Sequence, residues 1–206
     1  MKFTGDAYRP YVSALGQMVL SWNSLQEILG ITFVAVMNCG NDEKSYAIWH
    51  AISSDRMQRE ALIATVNASE FLEAFPSLQE DIKWLCDNAR KLEDLRNDAL
   101  HSPFCLHSVK GKAEFLPLTT FGHIRAKKLD GKNMLKDFKW CRDTSVVLSD
   151  FAWQIARCVP GPNNVPWPER PKLPTRGATN SPKFHRPTAP TKPAPLRPTK
   201  KASKKP

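Results

Sequence analysis

Arg96 and His101 stand five residues apart in the stretch LEDLRNDALHSPF (Leu92–Phe104). A guanidinium keeps its charge in any environment and presents a fork of donors matched to phosphate oxygens. An imidazole, with an ordinary pKa of about 6.5, takes up and releases protons at neutral pH. Together they suit cleavage of RNA without a metal. A 2′-hydroxyl attacks the neighbouring phosphate, a base removes its proton, and a cation stabilises the charge that accumulates. One arginine and one histidine are few for that reaction, and five residues on a regular helix turn them about 140° apart. A two-fold dimer would bring a second copy of each to a shared cleft.

The helix that carries the pair is legible from its apolar spacing. Leu78, Ile82, Leu85, Ala89 and Leu92 recur at alternating intervals of four and three, and the same rhythm continues to Arg96 and Ala99. Arg96 therefore falls where an apolar side chain is expected. An unpaired buried charge is costly, so such an arginine must be paired, at an interface, or facing a pocket. Glu93, three residues back, can hold it as a helix-surface pair worth a few tenths of a kcal/mol. On that reading His101 is a C-terminal residue favoured by the helix dipole, just ahead of the break at Ser102–Pro103. Structural and catalytic readings both remain open at this point.

Around this helix the spacing predicts an all-α fold: an antiparallel bundle of about five helices. Pro10 opens a first helix to about Met37, with Val12, Leu15, Val19, Trp22, Leu25, Leu29, Phe33 and Val36 inward. Gln26 and Glu27 near its middle read as surface residues. Asn41 or Asp42 caps a second helix through Ile52, and His50 lies at its end. A third helix from Asp55 turns Met57, Ala61, Ala64, Ala68 and Phe71 to one side. Pro76 stops it, and Ser77 with Glu80 forms a capping box for the fourth. Between His101 and Asn133 a loose alternation around Lys-Gly-Lys predicts a short β-hairpin-like insertion. From Asn133 a last helix runs with Leu135, Phe138, Val146, Ser149, Ala152, Ile155 and Ala156 inside.

Charge divides the chain in two. Residues 160–206 hold 11 Lys/Arg, one acid and 13 of the 17 prolines, whereas residues 1–159 are electrically balanced. The first 159 residues are thus expected to form one domain, and 160–206 a disordered basic tail. Such a tail can bind nucleic-acid backbones by counterion release, or serve as a polyproline ligand or spacer. The N-terminus has no apolar run of a signal peptide, and Ile28–Cys39, the segment nearest to a membrane span, is too short. Five cysteines without C-x-x-C spacing point to a reduced, cytoplasmic setting. No phosphate-binding glycine loop, serine elbow or paired metal-ligand motif is present, so no cofactor or metal is expected. His50, His107, His123 and His185 read as surface or packing residues.

RNDALH, Arg96–His101, resembles the R-x(4–6)-H motif of the HEPN superfamily, with the usual polar residue after the arginine present as Asn97. The resemblance covers about residues 8 to 158, in the order of helices and the motif at a helix end. It implies a compact helical domain, many members of which dimerise to make a metal-independent endoribonuclease. In that scheme His101 is the acid/base residue, Arg96 the phosphate and transition-state ligand, and Asn97 the residue that orients them. It also implies RNA as substrate, a homodimer, and a toxin or defence setting with a neutralising antitoxin partner. Other members have lost catalysis and only bind RNA or nucleotides. The hairpin insertion departs from the minimal bundle and leaves the subfamily open.

Overall fold

The computed structural model describes residues 8–109, 112–119, 122–159 and 165–177. The chain is an all-α bundle, with seven helices and one two-stranded hairpin among those residues. The helices are α1 (Arg9–Met37), α2 (Asp42–Ala51), α3 (Asp55–Asn67), α4 (Phe71–Ala74), α5 (Leu78–His101), α6 (Ile124–Leu129) and α7 (Met134–Cys158). The two beyond the expected five, α4 and α6, are short turns of four and six residues. Antiparallel strands β1 (Phe104–Val109) and β2 (Lys112–Pro117) form the expected hairpin, whose Lys-Gly turn lies outside the described residues.

Local chemistry explains most boundaries. Pro10 sits in the first turn of α1, and the helix ends at Asn38, whose φ of 42° is left-handed. Asn41 caps α2 by accepting from the Lys44 N–H at 2.9 Å, and Asn133 caps α7 through the Lys136 N–H at 3.1 Å. The capping box expected at Ser77 is not formed. Ser77 already has helical backbone angles and bonds no amide with its side chain, because the turn at Phe75 leads straight into the helix.

The core gathers Trp22, Leu25, Leu29 and Phe33 of α1, the Leu78–Ala99 seam of α5, and Phe138, Leu148, Phe151 and Ile155 of α7. The seam of α5 is buried as its spacing predicts. Elsewhere the inward faces shift. On α3 the buried residues are Arg59, Leu62 and Val66, whereas Met57 and Ala64 are exposed. Val12 and Val146 also face outward, and Gln26 is buried with neither amide atom partnered among the described residues. α2 crosses closely over α1: a Cβ on Gly30 would lie 2.7 Å from the Trp49 indole nitrogen.

Two expectations need correcting. α1, at 29 residues and with an 18-residue stretch of mean hydropathy 1.3, is long and apolar enough to cross a membrane, because its only charges are Arg9 and Glu27. Half of its apolar window is buried, and it packs chiefly against α7. The polar segment after residue 160 is not all tail, either. Residues 165–177 form an extended strap held by α4–α5 and α7. Trp167 donates to Asp81 at 2.7 Å and packs its ring, tilted by 31°, against Phe75, and Arg170 also binds Asp81. Further on, Trp140 donates to the Pro174 carbonyl at 2.9 Å, and Arg176 grips both Asp137 oxygens at 2.9 and 2.8 Å. Composition understated this strap because its few tryptophan and arginine anchors, rather than a run of apolar residues, fix it. The rest of 160–206, including His185, lies outside the described residues.

Candidate functional site

Arg96 does lie on the inward face of α5, but Glu93 is not what holds it. Its Nη2 pairs with Asp55 at the start of α3, its Nη1 donates to Asn97 Oδ1 at 2.9 Å, and its guanidinium lies 5.1 Å from the centre of the Trp22 ring. Glu93 instead pairs with Arg59 of α3, whose guanidinium lies 5.8 Å from the same ring. Each helix thus supplies one acid and one arginine: Asp55 and Arg59 from α3, Glu93 and Arg96 from α5. Pairing Asp55 with Arg96 and Arg59 with Glu93 means that the two helices run antiparallel at this crossing. Trp22 of α1 joins the two pairs, stacking with both cations and donating its N–H to Asp55 at 3.1 Å.

The environment makes these contacts matter. Arg59 is only 3% exposed, so its partner must compensate nearly the whole cost of removing the charge from water. The Arg96 side chain is 18% exposed and Asp55 30%, so this pair sits at the rim of the core rather than on the outer surface. A guanidinium has five N–H donors. Two of those on Arg96 are committed to Asp55 and Asn97, and its Nε is buried without a partner among the described residues. The Nη groups therefore retain hydrogens that a phosphate oxygen can accept.

The site residues are brought together only in part. Arg96 and Asn97 touch each other. His101, the last residue of α5, is exposed and has no hydrogen bond to either among the described residues. α5 stays helical through His101, so the five-residue spacing separates the two side chains around the axis by about 140°. Asp98, between them, is buried and binds Arg125 and Lys128 of α6 at 3.2 and 3.6 Å.

Sequence reasoning missed Asp55, Arg59 and Trp22 as parts of this arrangement. A signal for Arg59 was present: Arg59, Leu62 and Val66 are spaced by three and four, the same anomaly of an arginine in an apolar phase that marks Arg96. Asp55 had none, since an acid in the first turn of a helix is ordinary. Thiols add little reactivity. Burial pushes Cys86 and Cys141 up to about 12, whereas the Ser45 hydroxyl and the Asn41 backbone lower exposed Cys39 from its usual value. No cluster of three or more metal-ligand side chains occurs among the described residues. Comparison with family models, with curated proteins and with solved structures finds no match to this chain.

Proposed function

We propose that the bundle is a metal-independent endoribonuclease of the HEPN type, acting as a homodimer on RNA. The observation that carries this reading is the placement of Arg96. Asp55, Asn97 and Trp22 hold a guanidinium in a fixed pose at the rim of the core, with donors to spare. An exposed imidazole follows about one and a half turns later on the same helix. In the reaction the RNA 2′-oxygen forms a bond to phosphorus while the bond from phosphorus to the 5′-oxygen breaks. His101 takes the 2′-hydroxyl proton, and the His101 of the second copy returns one to the leaving 5′-oxygen. Arg96 stabilises the charge on the non-bridging oxygens, and Asn97 fixes its orientation. Two copies are needed because one helix points its own pair apart. A toxin or defence setting with a neutralising partner rests on the resemblance alone.

Incubating the protein with RNA in EDTA tests the reading. Cleavage leaving 2′,3′-cyclic phosphate ends is expected, slowed by about 10²–10⁴-fold in His101→Ala and by about 10²–10³-fold in Arg96→Ala. RNA that stays intact with the unaltered protein overturns it.

A second reading has its own support. Asp55 neutralises Arg96, as a purely structural arginine requires, and this favours a non-catalytic RNA-binding or dimerisation module with a basic tail. It predicts RNA binding unchanged in His101→Ala and abolished by removing residues 178–206. The cut belongs there and not at 160, which would also strip the strap from Asp81 and Asp137.

A further inference from the structure

The fold sets a second basic element against the end of α5. α6, sequence IRAKKL, carries Arg125, Lys127 and Lys128 in six residues without an acid. Ala126 and Leu129 are its buried side, so Lys127 and Lys128 are exposed and Arg125 is half-buried. One carboxylate docks the helix: Asp98 accepts from Arg125 Nη1 at 3.2 Å and lies 3.6 Å from Lys128 Nζ. A single negative charge against two positive ones leaves the pairing net positive, and Lys127 adds to it. Asp98 and His101 are three residues apart on a continuous helix, so they lie on the same side, one turn from each other. Docking through Asp98 therefore sets the α6 cations beside the exposed imidazole, on the side of α5 away from the Arg96 clasp.

We infer that α6 forms the RNA-backbone contact of this protein, with Arg125, Lys127 and Lys128 holding phosphates that flank the one presented to His101. The inference rests on the ribonuclease reading for its ligand. It also supplies the cations that a single arginine cannot. The contact is electrostatic and indifferent to base sequence, since lysine and arginine side chains on phosphate oxygens read charge rather than base edges.

The test is binding of a short, labelled single-stranded RNA to the full chain, in a His101→Ala background that leaves the probe uncut. Lys127→Gln together with Lys128→Gln is expected to weaken binding by about tenfold. The slope of log Kd against log salt should fall by about 1.4, or about 0.7 for each phosphate no longer neutralised. Lys127→Gln alone, at an exposed position with no part in the Asp98 docking, should show half that change in slope with an unaltered thermal melt. Unchanged affinity and slope in both variants overturn the inference. If the unaltered protein cleaves RNA while the α6 variants cleave it with the same KM, α6 is excluded and the ribonuclease stands. If the α6 variants lose binding while RNA in EDTA stays intact with His101 present, α6 stands and the ribonuclease falls.

Discussion

Two arginines in apolar phases, Arg59 and Arg96, decide how this bundle is braced. Each is paired across the α3–α5 crossing and covered by Trp22, so neither charge can lose its partner cheaply. Asp55→Asn keeps the shape but removes the charge that compensates Arg96, and it should lower stability by about 1–3 kcal/mol, less than for a fully buried pair because Asp55 is partly exposed. Urea denaturation measures this; an unshifted midpoint would mean that the clasp is incidental. The thiols give a separate check. With burial pushing Cys86 and Cys141 up to about 12 and hydrogen bonds lowering Cys39, thiolate forms at Cys39 more readily than at those two. Alkylation of the folded protein followed by mass analysis should label Cys39 ahead of Cys86 and Cys141, which react only after unfolding.

At the level of elements, the seam of α5 was readable because it is buried along one continuous stripe, from Leu78 to Ala99. The inward face of α3 was misread because its apolar residues, Met57, Ala61, Leu62, Ile63, Ala64 and Val66, are spread around the helix, which gives the period little contrast. The true inward stripe contains Arg59, a residue that hydropathy alone assigns to solvent. Arg96 was placed correctly but its partner was not: proximity in sequence favoured Glu93, while tertiary packing supplied Asp55 from 41 residues away. The α1–α2 crossing depends on a close approach that only glycine allows. Gly30→Ala would drive a methyl group into the Trp49 indole, at 2.7 Å from its nitrogen. Overpacking of about 1–3 kcal/mol should outweigh the roughly 1 kcal/mol gained in helix propensity. A thermal melt should therefore show a net loss, and a raised midpoint would contradict this packing.

Over the whole molecule, the strap ties the C-terminal segment to the bundle through two carboxylates, Asp81 and Asp137, which are 4% and 1% exposed. Ending the chain after residue 164 would strip Arg170, Trp167 and Arg176 from these carboxylates and return them partly to water, at a cost of about 1–3 kcal/mol for each lost pair, since both arginines are already partly exposed. Ending it after residue 177 keeps the anchors and should leave the melting temperature unchanged. Equal melting temperatures for the two truncations would show that the strap adds nothing. The ribonuclease proposal also belongs to this scale, because one chain turns Arg96 and His101 to different sides of α5. Titrating His101→Ala protein into the unaltered protein at constant total concentration, with the two refolded together so that chains exchange, tests it most directly, since every cleft draws one histidine from each chain. Cleavage of RNA in EDTA should fall with the square of the unaltered fraction, because a mixed dimer lacks either the base or the acid. A fall in simple proportion to that fraction would contradict a cleft shared between two chains.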